Sequence, residues 1–430
     1  MPFDQHKSAQ LSVQGRLLLD PTVRPELGWL TIADGRIVEI GTGEIPRSLA
    51  PPAVGGRERL VIPAFTDAHI HLPQIESVGC DGMELLDWLR RVIFPAEEWW
   101  GRGKALSDTA TAVRRMLAQG TAGFAGYLTS HAEPAFLAAS FLTARSPMRF
   151  VVGRVAMDRE APDTLTAEDR DRAAQRPVRS PLLSGLDGSP RHQVSVNPRF
   201  AVSCSEGLLA EVGWIVRERA GLFVQTHLAE TRAECAKVAS LFPTDRHYTG
   251  VYDRFGLLTE ASLLAHCVHL SDEEWRLIAE RKSIVVHCPG ANTFLQAGMF
   301  DLPSARRWGV RLALGSDVAA GPDIAMPRVA RAMIDTAKSR AMGGSNAHIP
   351  TPAEAWTMIT RTNAALLGWP DAGVIQQGAH ADLLVLRTPE AWNDEHLVGR
   401  LIYNWSSDLI EDRVIAGRVI DPSSILPVPC

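Results

Sequence analysis

Through the middle of the chain, short apolar runs alternate with longer stretches whose apolar positions recur at helical spacing. Eight such runs stand out, at residues 60–71, 120–130, 148–157, 193–200, 222–228, 262–269, 283–288 and 310–318. Bounded apolar runs of this length predict strands buried on both faces. Helices are predicted between most of them, including 108–118, 205–220, 231–241 and 271–281. Ser271 followed by Glu274 is a capping-box pattern that marks the start of the last one. Strand–helix alternation repeated in this way over about 250 residues predicts an α/β fold, a (β/α)8 TIM barrel. A doubly wound open sheet has the same alternation and is the rival architecture.

Both ends of the chain follow another rhythm. GWLTIADGRIVEIG is two alternating runs joined by Asp34-Gly35, a strong hairpin signal. Pro and Gly cluster over 46–56, which reads as a linker. After Val374 the chain turns β-rich again, with a strand predicted over 381–386 and a short hairpin through Gly417. Neither end is long enough to bury a core alone. The division is therefore a barrel over 62–373, beside a small β-sandwich-like domain built from 1–61 and 374–430. Residues 159–192 are polar and read as a surface excursion without chemistry.

Composition narrows the class. The 430 residues are 46% hydrophobic with a net charge of −5, so no basic excess exists to neutralise a nucleic-acid backbone. No run of about 18 apolar residues suggests a membrane span, and MPFDQHKSAQ has no signal-peptide pattern. The cysteines (Cys80, Cys204, Cys235, Cys267, Cys288 and Cys430) are scattered and read as reduced thiols of a cytoplasmic protein. GTGEI at Gly41 lacks the remainder of a dinucleotide fingerprint, and no G-x-S-x-G elbow accompanies Ser316.

The chemistry lies where a barrel places it, at the C-terminal ends of the predicted strands. The first run ends in His69 and His71, two apart and hence on one face. The fifth ends in His227 with Glu230 beyond it, the sixth in His266, and the eighth in Asp317. Imidazoles with a carboxylate suit zinc, or iron in its place, and leave a position for water. Each residue has a plainer reading: His227 as a core histidine, Asp317 as a helix N-cap, and Glu230 as a first-turn acid. Their joint placement at corresponding strand ends favours the metal site. His269 is the weaker rival of His266, and His287 is a support at the barrel mouth with no assigned role.

The segments DAHIHLPQ, GMELLDWLRRVIFPAEE, AMDREAPDTL, NPRFAVSCSE, VQTHLAET, YTGVYDRFGLLT, LLAHCVHLS, HCPGANTFLQAG and GSDVAAGP span residues 67–322. Together they resemble the amidohydrolase superfamily in its one-metal aminohydrolase branch, and within that branch the guanine deaminase family. H-x-H-x-P-Q combined with P-R-F is the narrowing feature, and GAHADLLVL is similar to the family's return to its β domain. The chain departs from the family pattern at Ala291, before Asn292, and in the Phe294 to Gly298 stretch.

The resemblance implies that His69, His71, His227 and Asp317 hold one zinc per subunit, with iron as a substitute. It implies that Glu230 is the proton shuttle, that Asp317 takes part in the chemistry, and that His266 contacts the attacking water. Gln74, Arg199, Phe200 and His227 match positions that contact a purine base. The implied reaction is guanine and water to xanthine and ammonia, in purine catabolism or salvage, by a homodimer. A deaminase of a related ring (a pterin or 8-oxoguanine) is the nearest alternative, and a non-catalytic barrel scaffold the more distant one. Donor counting agrees with a lactam: Arg199 only donates, and Gln74 both donates and accepts. A strand-end salt bridge is the equal alternative for Arg199.

Overall fold

The computed structural model describes residues 11–49, 51–175, 189–345 and 348–427. Both ends of the chain build one seven-stranded sheet. Its strands are β1 (Leu11–Leu17), β2 (Glu26–Ala33), β3 (Arg36–Thr42), β4 (Val54–Pro63), β14 (Leu383–Leu386), β15 (Ile410–Ile415) and β16 (Arg418–Val419), in the order β16-β15-β14-β4-β1-β2-β3. The hairpins read from sequence are present: Asp34 and Gly35 turn β2 into β3, and Ala416 and Gly417 turn β15 into β16, all four residues with positive φ.

The middle of the chain forms a nearly closed barrel of eight parallel strands. They are β5 (Phe65–His71), β6 (Thr121–Tyr127), β7 (Arg149–Gly153), β9 (His192–Pro198), β10 (Phe223–Leu228), β11 (Ser262–His266), β12 (Ile284–His287) and β13 (Arg311–Leu314), with the two-residue β8 (Val155–Ala156) appended to β9. Seven of them lie inside the apolar runs, and β9 begins one residue before its run. Closure comes just past β13, where Asp317 N donates to His69 O at 2.8 Å and His71 N to Val318 O at 3.1 Å. Helices Ala105–Ala118, Glu206–Glu218, Arg232–Leu241 and Asp272–Glu280 fall on the predicted stretches, and Ser271 and Glu274 make the reciprocal capping box.

Three expectations need correction. The first apolar run is not one strand. Leu60 to Pro63 pairs antiparallel with β14 in the terminal sheet, whereas Phe65 begins the barrel by donating to Gly120 O at 3.0 Å. Both halves are buried on both faces, so the hydrophobic pattern carries no mark of the change of partner at Ala64. The linker over 46–56 also ends early, because Val54, Gly55 and Gly56 already belong to β4. Gly55 sits at φ +89° with Gln14 O only 2.1 Å from where a Cβ would stand, so the parallel β1–β4 approach requires glycine there. The excursion over 159–192 is in part structural: residues Asp163–Gln175 form a helix, and its Asp169 is buried against Arg154. Residues 176–188 of that stretch lie outside the described residues.

A buried ion pair ties the barrel to the terminal sheet. Arg149 on β7 donates through Nε to Asp382 Oδ2 at 3.0 Å, and Asp382 Oδ1 accepts Ala416 N at 2.7 Å. Burial alone would raise the Asp382 carboxyl, yet Arg149, Arg191 and these hydrogen bonds bring it below its ordinary value.

Candidate active site and metal centre

The strand ends converge on a cavity lined by His71, Gln74, Arg199, Phe200, His227, Glu230, His266 and Asp317. Leu85, Trp88 and Leu89 wall it from outside the barrel, on the helical stretch that follows β5. His69 lies just beneath, 1% exposed.

Several of these strand ends turn sharply. Ala229, His266, Cys267 and Asp317 all have φ between 50° and 73°, a left-handed conformation that non-glycine residues adopt at a cost. The turn after β13 also brings Gly315 against His69, where a Cβ would stand 2.6 Å from His69 Cβ. Asp67 braces the same junction from β5, its Oδ1 accepting His69 N at 3.1 Å and Ser316 N at 2.9 Å.

His69 Nε2 lies 3.3 Å from Asp317 Oδ1, and His71 Nε2 3.5 Å from the same oxygen. His71 Nε2 is 3.1 Å from His227 Nε2. His266 Nε2 stands 3.7 Å from Asp317 Oδ2 and 3.5 Å from Glu230 Oε2. One ligand atom from each of His69, His227, His266 and Asp317 lies within 4.8 Å of all the others.

Two of the rings are tied down on their outward side. His227 Nδ1 lies 2.6 Å from Arg199 O, which can only accept, so Nδ1 carries the hydrogen and Nε2 offers its lone pair inward. Asn292 Oδ1, 2.9 Å from His266 Nδ1, turns that ring's Nε2 toward Glu230 and Asp317. His69 Nε2 and His266 Nε2 are buried without a hydrogen-bond partner among the described residues. Burial, with neighbouring imidazoles and Arg199, holds His69, His71 and His227 well below the ordinary histidine range. They are therefore neutral, the form that ligates. Neutral imidazoles whose inner nitrogens meet each other and a carboxylate fit a divalent cation.

Glu230 is 2% exposed, with Oε1 unpartnered among the described residues. Its backbone N–H is held by Glu234 Oε2 at 2.8 Å, and Tyr248 donates to the other oxygen of Glu234 at 2.8 Å. Burial first, then Asp317 and Glu234, push the Glu230 carboxyl well above its ordinary value. Burial raises Asp317 to about 6, against the pull of His266 and Arg199. The site thus holds two buried carboxyls that both bind their proton more tightly than in solution, Glu230 in a more strongly desolvated and acidic surrounding.

With this geometry fixed, the family can be assigned. A family model described as the amidohydrolase family matches residues 60–420. The chain belongs to the amidohydrolase family. It is 34% identical to guanine deaminase of Escherichia coli (strain K12), across 69% of this chain and 67% of that relative. With guanine deaminase of Dictyostelium discoideum the identity is 35%, across 70% and 67%. A solved structure of guanine deaminase from C. acetobutylicum with bound guanine in the active site superposes with a TM-score of 0.86 at 27% identity, covering 96% of this chain and 100% of that one.

In this amidohydrolase every residue singled out from sequence at the strand ends lies in or against the one cavity, except the two of secondary interest. His269 Nε2 meets Ala297 O at 2.7 Å, and His287 stacks on Phe300 with centroids 4.3 Å apart. The helix N-cap alternative for Asp317 falls away, because the next helix after it begins at Met326, with Ala325 as its N-cap. The salt-bridge alternative for Arg199 proves correct as well as its cavity position: Arg199 Nη1 donates to Glu97 Oε1 and Oε2 at 2.7 and 2.8 Å.

Sequence reasoning missed the residues behind these groups. Glu97, Asn292 and Glu234 are buried and each holds a cavity residue in place. Glu97 had a signal. It lies on the helical i, i+4, i+7 stripe formed with Ile93 and Trp100, all of it buried, where a carboxylate demands a charged partner.

Proposed function

We propose that this chain is a zinc-dependent guanine deaminase, converting guanine and water to xanthine and ammonia. The carrying observation is the coincidence, in one cavity, of an imidazole–carboxylate cluster, the buried Glu230 and the donor–acceptor pair of Arg199 and Gln74. The relatives named guanine deaminase support the same reading. In it His69, His71, His227 and Asp317 hold the metal, and His266 faces the remaining position. A divalent ion, when bound, supplies Lewis acidity that brings the pKa of a water from 15.7 down to roughly 7.

The protein groups account for the remaining steps. Arg199 and Gln74 hold the N1–O6–N7 edge of the base while Phe200 packs in the same cavity, which leaves C2 and N3 toward the metal centre. As water oxygen bonds to C2, Asp317 takes one of its protons. Glu230 protonates N3, so that addition gives a neutral tetrahedral carbon, and the C2–N bond then breaks as the amine receives a proton. The amine takes the proton held by Asp317, and the C2 hydroxyl returns the other water proton to Glu230 as the carbonyl forms, so that xanthine carries a hydrogen on N3 and ammonia leaves. His266, fixed by Asn292, faces the developing charge on the attacking oxygen. Assembly as a homodimer and a cytoplasmic location belong to the same proposal.

Ammonia release from guanine and adenine tests it. Guanine is turned over, and adenine is slower by at least about a hundredfold, since its C2 bears hydrogen, its amine lies on the edge held by Arg199 and Gln74, and two contacts worth about 1–3 kcal/mol each are reversed. Comparable rates for the two bases would refute the assignment.

A further inference from the structure

Glu97 is wholly buried, lies outside the barrel strands, and is the point at which both base-contacting polar residues converge. Arg199 follows β9 and Gln74 sits in the single turn after β5, yet both donate to this carboxylate. Arg199 Nη1 reaches Oε1 and Oε2 at 2.7 and 2.8 Å, and Gln74 Nε2 reaches Oε1 at 3.1 Å. Both side chains are almost fully buried and line the cavity.

We propose that Glu97 is a positioning residue that sets the hydrogen-bond polarity of the cavity, and hence which heterocycle edge it accepts. A primary amide is nearly symmetric in shape but not in charge. A carboxylate only accepts, so it captures the NH2 end of Gln74 and leaves Oε1 as the end available to a ligand. The same carboxylate occupies Arg199 Nη1 and leaves the N–H groups of Nε and Nη2. Neither Gln74 Oε1 nor these Arg199 nitrogens has a protein hydrogen-bond partner among the described residues. Phe94, one turn before Glu97, adds a second restraint, with its ring centroid 5.6 Å from Arg199 Cζ. The cavity therefore offers one fixed acceptor and neighbouring fixed donors.

The complementary edge reads donor, acceptor, acceptor. The N1–H, O6 and N7 of a 6-oxopurine present that order, as do N3–H, O4 and N5 of a pterin. Adenine reverses the first two positions, and 8-oxoguanine, protonated at N7, reverses the third. The polarity follows from Glu97 alone. Only the choice of a purine as the occupant rests on the guanine reading above.

The test is binding of hypoxanthine and adenine, neither of which carries the C2 amine, to the metal-loaded full chain by titration calorimetry. The wild type prefers hypoxanthine by roughly a hundredfold, about tenfold for each of two reversed contacts. Glu97→Gln frees the Gln74 amide to turn over, and the preference falls at least about tenfold, chiefly through weaker hypoxanthine binding. A purely structural role for Glu97 would weaken both bases alike; an unchanged ratio in a folded Glu97→Gln protein overturns the proposal. If that variant fails to fold, Gln74→Met decides, because it leaves the Glu97–Arg199 pair intact. Loss of about tenfold in the ratio supports the proposal, and an unchanged ratio overturns it. The guanine reading fails separately: a wild type that releases no ammonia from guanine, yet shows a preference that Glu97→Gln abolishes, sinks the reaction and leaves the polarity in place.

Discussion

Replacing Glu230 by Gln separates proton transfer from everything else the site does. The side chain is 2% exposed and not among the residues proposed to hold the metal; its Oε2 lies 3.5 Å from His266 Nε2, and its Oε1 has no partner among the described residues. Its position is set from the backbone by Glu234, which the substitution does not touch. Gln has the same shape and stays in place, but it cannot give up a proton and take it back. Positioned acid–base groups contribute about 10²–10⁴ in rate, which at 1.36 kcal/mol per decade is about 3–5 kcal/mol of barrier. The account expects kcat for guanine to fall by about that factor, with the KM changed little and metal content unaltered. Coupled ammonia detection gives the rates, and metal analysis of the same preparation gives the stoichiometry. Turnover within threefold of the wild type would refute the shuttle role. Loss of metal along with activity would show that Glu230 is a ligand instead.

Other consequences concern the scaffold. Asp382→Ala strands the buried Arg149 charge at the junction of barrel and terminal sheet, and a loss of about 3–5 kcal/mol is expected; an unshifted urea midpoint would contradict it. Burial, with Arg191 and Arg149 nearby, brings His192 down to about 4, and burial with Arg149 and Arg36 does the same for His380. Both are depressed below the unfolded value near 6.5. Their contribution to stability is therefore full above that pH and is lost as pH falls through about 4. The urea midpoint of a His192→Asn, His380→Gln variant should fall less steeply over that window than the wild type's, and parallel curves would rule the two histidines out.

The barrel was legible because its period is a property of burial: eight strands covered on both faces leave eight apolar runs, and the helices between them keep their caps. The clustered residues were legible because strand ends place chemistry at regular intervals, so His69, His71, His227, His266 and Asp317 could be collected before their distances were known. The run over 60–71 misled for the same physical reason that the others succeeded. A strand that leaves one sheet for another at Ala64 stays buried on both sides, and hydrophobicity does not record partners. Glu97 and Asn292 escaped notice because their work is tertiary. Glu97 is 102 residues from the Arg199 it holds, and Asn292 is 26 from His266. Only the incongruity of an acid on an apolar helical stripe hinted at the first.

The central claim is that one divalent ion among these imidazoles makes the cavity a deaminase. Titrating zinc into metal-stripped protein while following ammonia release from guanine tests it most directly. The account predicts no turnover without metal, a linear rise on addition, and a break at one ion per chain. Full activity in the stripped protein, or no ammonia from guanine at any zinc concentration, would contradict it.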